Sequence, residues 1–142
     1  MAYKVFIDTN IIVDLLQPVR PFHDDAQALF LNLSKNLFVA HMSESVITTT
    51  PYLIRKDYSS DELNIILRNL NQKLKMLTCT NQHVLAVLQH EPPDFEDALL
   101  YEIALHHEMD FFVTSNTKNF KKLQRPGLLV IRAKELNKML SE

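Results

Sequence analysis

Lys4-Val5-Phe6-Ile7-Asp8-Thr9-Asn10-Ile11-Ile12-Val13-Asp14-Leu15-Leu16 is the stretch on which the fold turns. Tyr3 to Ile7 is a short apolar run rich in β-branched and aromatic residues, and it reads as a buried strand. The polar trio Asp8-Thr9-Asn10 interrupts it. Ile11, Ile12, Val13, Leu15 and Leu16 then suit a short buried helix.

The same alternation continues outward. Pro18 and Pro21 end the first helix. Ala26, Leu29, Phe30 and Leu33 recur at helical spacing between His23 and Lys35, and Leu37 to Ala40 reads as a second strand. Ser43 suits the N-cap of a helix to about Lys56, with a kink predicted at Pro51. Ser59 and Glu62 have capping-box spacing ahead of a long amphipathic helix carrying Leu63, Ile66, Leu67, Leu70 and Leu74. Met76 to Cys79 reads as a third strand, with Cys79 as inert packing, and Asn81 to His90 as a helix. After Pro92-Pro93, a helix from Asp94 ends near His107. Phe111 to Thr114 and Leu128 to Ile131 are strands, and Ala133 to Leu140 is a closing helix. Strands alternating with helices predict an α/β protein, a three-layer α/β/α arrangement around a mostly parallel sheet. No repeat or compositional break divides the chain, so one domain over residues 1–142 is expected.

Composition narrows the chemistry. The chain has 142 residues, 46% hydrophobic and 23% charged, the balance of a globular protein with a real core. One cysteine excludes internal disulfides and cysteine-based metal cages. One glycine, Gly127, excludes Walker and Rossmann loops, which need several glycines for backbone amides to approach phosphate. Fifteen Lys and Arg against seventeen Asp and Glu give a net charge of −2, so nucleic-acid binding would need a local basic patch. No run approaches a membrane span, and the start reaches Asp8 too soon for a signal peptide. A reducing cytoplasm is the expected compartment.

Open parallel sheets bind ligands beyond the carboxyl ends of their strands. Two polar groups fall there: Asp8-Thr9-Asn10 and Thr114-Ser115-Asn116. A third cluster, Asp94-Phe95-Glu96-Asp97, opens a helix just upstream of the strand at Phe111. Carboxylates gathered this way repel one another unless a divalent cation neutralises them, and Mg²⁺ and Mn²⁺ prefer such oxygen ligands. A metal so held can polarise a phosphodiester and activate water. Asp8 could instead cap the helix it precedes, as Thr9 or Asn10 could. Asp94 reads as a helix cap, and Asp97 falls in a first turn where the helix dipole favours an acid. Asp14 could edge the pocket or face solvent. The six histidines are scattered, and His106-His107 point to different sides of a helix. Lys118, Lys121, Lys122 and Arg125 form a basic cluster, and Arg55, Lys56, Arg68, Lys73 and Lys75 decorate the middle helices. These either face solvent or grip a polyanion.

Together the motifs resemble those of the PIN (PilT N-terminus) domain, the metal-dependent ribonuclease fold found in VapC-type toxins. The opening from Lys4 to Leu16 is similar to the family's N-terminal motif. Asp94-Phe95-Glu96-Asp97-Ala98 resembles its central acidic motif, and Phe112-Val113-Thr114-Ser115-Asn116 with Asn119-Phe120 its closing one. The resemblance implies a four-carboxylate site for one or two Mg²⁺ or Mn²⁺ ions, with Asp8 as the first acid and Asp97 as the third. It puts Thr49 at the second position, and Asn116 and Asn119 at the two where a closing aspartate is usual. Glu44 lies more than one helical turn before Thr49. Two of the expected carboxylates are therefore absent, and affinity for a hard divalent ion should fall.

The resemblance implies an Mg²⁺- or Mn²⁺-dependent endoribonuclease, the toxin of a toxin–antitoxin pair, with an RNA substrate and a small antitoxin as partner. Asp8 and Asp97 would hold the metal, and Asn116 would position water or a second ligand. The alternative is a catalytically impaired module that binds RNA or protein. Such proteins often dimerise, and Leu63, Ile66 and Leu70 offer either a homodimer face or core. A haloacid-dehalogenase-type phosphatase would need an aspartate where Asn10 stands. A receiver domain would need a phosphoacceptor aspartate after a central strand.

Overall fold

A computed structural model of the chain describes residues 2–142; Met1 lies outside them. The elements run β1 (Tyr3–Ile7), α1 (Thr9–Leu16), α2 (His23–Ser34), β2 (Phe38–Met42), α3 (Glu44–Ile54), α4 (Ser60–Lys73), β3 (Lys75–Met76), α5 (Asn81–His90), α6 (Phe95–His106), β4 (Phe111–Val113), α7 (Thr117–Phe120), β5 (Leu129–Ile131) and α8 (Ala133–Leu140). Every strand pairing is parallel, in the order β3-β2-β1-β4-β5, and helices cover both faces in a three-layer α/β/α arrangement. The chain leaves β1 toward β2 on one side and leaves β4 toward β5 on the other. The carboxyl ends of β1 and β4 therefore flank the point where strand order reverses, which is where such sheets form a crevice.

The central position of β1 explains the apolar run Val5-Phe6-Ile7 that ends it. Val5, Phe6 and Ile7 are all fully buried. Phe6 stacks on Phe112 of β4 at 5.1 Å between ring centres, and Phe112 meets Phe120 at 4.5 Å and Tyr101 at 5.7 Å. Each such ring removed from water contributes on the order of 1.5–3 kcal/mol, and together they fix α6 and α7 against β4. The Tyr101 hydroxyl donates to the Leu128 carbonyl at 2.7 Å and accepts from the Arg125 amide at 2.8 Å, tying α6 to the turn before β5. That turn, Arg125-Pro126-Gly127-Leu128, contains the chain's one glycine at φ +101, the value a type II turn demands after proline.

The sequence-based elements all form, with shifted bounds. The capping box of Ser59 and Glu62 is present at the start of α4. The second strand lies at Phe38–Met42, later than Leu37–Ala40, and α3 stops at Ile54, three residues after Pro51. The largest correction concerns the third strand. It is Lys75–Met76 and not Met76–Cys79, because β2 ends at Met42 and leaves the later residues without a partner beyond the Leu77 amide, which donates to the Met42 carbonyl. Cys79 is consequently exposed instead of packed. Of the proposed dimer or core residues on α4, Leu70 is buried in the core and Leu63 and Ile66 are half-buried. Among the described residues no helix is long and apolar enough to cross a membrane.

Candidate active site

Strand register brings the first and last motifs together. Ile7 pairs with Val113, and the next residue out on each strand continues the row: the Asp8 amide donates to the Val113 carbonyl at 3.0 Å. Asp8 thus sits beside Thr114, whose hydroxyl donates to Asp8 Oδ2 at 2.8 Å. The same hydroxyl accepts from the Asn116 amide at 2.9 Å, so Thr114 links the first acid to the closing motif. Asn10 Nδ2 donates to Asp8 Oδ2 at 3.0 Å. Both side-chain donors fall on one oxygen, which fixes the carboxylate and leaves Oδ1 clear of side-chain donors.

Asp8 does occupy the residue before α1, but its side chain makes no capping hydrogen bond. Burial pushes its carboxyl up to about 6, against the pull of the hydrogen bonds from Thr114 and Asn10 and from the amides of Thr9 and Asn10. Asp94 does cap α6, accepting from the Asp97 amide at 3.1 Å. That cap orients the first turn of α6 so that Asp97, half-buried, comes within reach of the Asp8 charge. Burial, then the negative charges of Asp94 and Asp8, raise Asp97 to about 7. The two acids the sequence singled out thus lie in one electrostatic neighbourhood, as carriers of charge the protein itself does not neutralise.

Asn116 starts α7, half-buried and with no capping bond from its side chain. Asn119 is exposed one turn later, and Thr49 is half-buried on α3. Glu44 is exposed in the first turn of α3. With Glu96 it rims a depression of about 300 Å³ between α3 and α6. Among the described residues no group of three or more His, Cys, Asp and Glu side chains converges in metal-binding geometry. The chemistry of the two carboxylates, Asp8 after β1 and Asp97 in the first turn of α6, suits a hard divalent ion, which would relieve their mutual repulsion.

Asp14 does not face solvent. It is fully buried, Arg20 Nε donates to its Oδ1 at 2.6 Å, and its Oδ2 has no partner. The pair holds the turn between α1 and α2. The histidines are also less scattered than the sequence suggests, because His83 of α5 packs against both His106 and His107. Lys118, Lys121 and Lys122 are exposed on and after α7, while Arg125 is tied to the buried Glu102 carboxylate. Thr114 is the residue sequence reasoning left without a role. Its signal was its place one step beyond β4, in register with Asp8.

The fold is a parallel α/β sheet with acids gathered near the reversal of strand order. The chain belongs to the PIN domain family, whose model matches residues 4–118. No curated protein sequence matches it. Solved structures share the fold. VapC20 of Mycobacterium tuberculosis, described as a sarcin–ricin loop cleaving toxin, is 14% identical over 86% of this chain and 99% of that one, with a TM-score of 0.68. VapBC-1 of nontypeable Haemophilus influenzae is 18% identical over 92% and 98%, TM-score 0.68. VapBC2 of Rickettsia felis, bound to a DNA fragment from its promoter, is 18% identical over 91% and 98%, TM-score 0.66.

Proposed function

We propose that the chain is an endoribonuclease dependent on Mg²⁺ or Mn²⁺ and the toxin half of a toxin–antitoxin pair. The observation that carries this is the pairing of Asp8 and Asp97, both titrating far above ordinary carboxylates at the crevice of the sheet. Asp8 and Asp97 would hold the ion, with the Asn116 amide oxygen beside them. The ion would supply polarisation of the scissile phosphodiester and a water activated for attack. Thr114 and Asn10 keep the Asp8 carboxylate in one orientation. Exposed Lys118, Lys121 and Lys122 give the closing side of the crevice a positive rim for RNA phosphates.

A small antitoxin protein is the partner this reading implies, as the solved relatives include toxin–antitoxin complexes. The reading also takes residues 1–142 as one cytoplasmic domain that forms a homodimer, for which Leu63 and Ile66 remain as a half-buried face. A second reading, a catalytically impaired unit that binds RNA or protein, draws on one observation: among the described residues no three His, Cys, Asp or Glu side chains converge in metal-binding geometry.

Incubation with structured RNA separates the two. Cleavage that appears with millimolar Mn²⁺ and stops with EDTA is the expected result. RNA retained on the protein but left intact across Mg²⁺ and Mn²⁺ concentrations would favour the binding unit.

A further inference from the structure

The α5–α6 pair holds a cluster of titratable groups that the proposed reaction does not use. His83 is buried between the two helices, 4.8 Å from His106 and 5.6 Å from His107 between ring centres. Its Nδ1 accepts from the Thr80 amide at 3.0 Å, and its own amide donates back to the Thr80 hydroxyl at 3.4 Å. Histidine here fills the place that Glu or Gln takes in a capping box. The bond fixes the tautomer: Nδ1 is the acceptor, so the ring proton sits on Nε2. A metal bound through Nε2 would need that proton moved to Nδ1, against the Thr80 amide. The cluster is therefore not a metal site, in keeping with the lack of metal-binding geometry among the described residues.

A second proton on His83 does two things at once. It removes the only acceptor that Nδ1 offers Thr80, and it places a cation against His106 and His107. Few groups oppose this. From α6, Glu102 faces the cluster, but its carboxylate is shared between His106 Nε2 at 3.3 Å and the guanidinium of Arg125. His107 Nδ1 is engaged with the Ile103 carbonyl at 2.8 Å, and its Nε2 faces the Thr78 hydroxyl at 3.5 Å. Thr78 and Thr80, from the segment before α5, carry no charge. A cavity of about 250 Å³ lies further along, at the C-terminal end of α5, between Val87 and His90 on one side and α6 with the segment from Lys122 to Arg125 on the other.

We propose that His83 makes the α5–α6 pair acid-labile, so that protonation releases the N-terminal turn of α5 from α6 while the sheet stays folded. Burial and the neighbouring histidines hold the His83 ring below its ordinary value, in the direction this requires. The folded form binds the proton less well than the opened form, so closure is fully favoured above the ordinary value near 6.5 and is lost as pH falls below it. Asp8 and Asp97 titrate in the opposite sense, since raised carboxyls strengthen the fold as pH falls. An acid-induced opening at α5 is therefore distinguishable from any effect of the acidic crevice.

Hydrogen exchange of the full chain at pH 7.5 and 5.5, corrected for intrinsic exchange rates, tests this. Amides of α5 in the wild type should exchange up to about tenfold faster at pH 5.5, the factor set by one pH unit below an opened-state value near 6.5. His83→Gln keeps a capping-box acceptor but cannot take the proton, so its α5 exchange should not respond to pH. Protection of Val5 and Phe6 in β1 serves as the check that the variant is folded. Three outcomes overturn the proposal: no pH response in the wild type, the same response in His83→Gln, or an acid effect spread equally over β1 and β4.

Discussion

Asp8→Asn should abolish Mn²⁺-dependent RNA cleavage and at the same time make the metal-free protein more stable. Loss of a partner that merely orients a metal ligand typically costs 10–100-fold in affinity or activity, so loss of a ligand should exceed about 10²-fold. The gain in stability follows from the titration. Asp8 ionises at about 6 in the fold against an ordinary 3.8. The folded chain binds that proton more tightly, so the associated stability is fully present below 3.8 and lost as pH rises through 6. Keeping the buried carboxylate charged at pH 7.5 costs on the order of 3 kcal/mol, and a neutral amide that still accepts from Thr114 avoids that cost. Thermal unfolding without metal should rise by roughly 5 °C or more at pH 7.5 and by little at pH 4. Millimolar Mn²⁺ should stabilise the wild type and not the variant. Cleavage that persists in Asp8→Asn would assign the activity to a contaminant. A variant no more stable than the wild type at pH 7.5 would mean that Asp8 is not held ionised against its burial.

The opposite signs of these two effects explain why the first motif was readable in the sequence. An aspartate between two apolar segments makes the fold less stable, and it stands at the end of a central strand for what it does there. The same logic exposed Asp97 only through its neighbours, since an acid in a first helical turn is ordinary by itself. Alternation of apolar runs with helical periods was enough for the α/β class and the order of elements. It missed where pairing stops, because the end of β3 is decided by the end of β2, more than thirty residues earlier. Burial of Asp14 depended on Arg20 reaching back over the turn, and the convergence of His83 with His106 and His107 depended on how α5 lies on α6. Both are facts of helix packing, with no trace in spacing along the chain. Thr114 lies between these cases: its position was legible, but its bond to Asp8 needed the register of β1 against β4.

Asn116→Asp should tighten Mn²⁺ binding by at least tenfold and raise cleavage with it. The residue starts α7, half-buried, and its backbone is held by the Thr114 hydroxyl that also binds Asp8, so a carboxylate there joins the existing pair without rearranging the loop. A third negative charge about 4 Å from a divalent ion gains several kcal/mol at an effective dielectric near 20, and repulsion from the other two acids offsets only part of it. That repulsion has its own readout: the metal-free variant should unfold at a lower temperature than the wild type, and Mn²⁺ should more than restore it. Asn119→Asp supplies the control, because Asn119 is exposed one turn further along and solvent screens its charge. Titration calorimetry on both variants assigns the position. Tighter binding in Asn119→Asp with none in Asn116→Asp would place the fourth ligand on α7 itself and remove Asn116 from the site. An unchanged affinity in both would mean that the deficit lies on α3, where Thr49 stands in place of an acid.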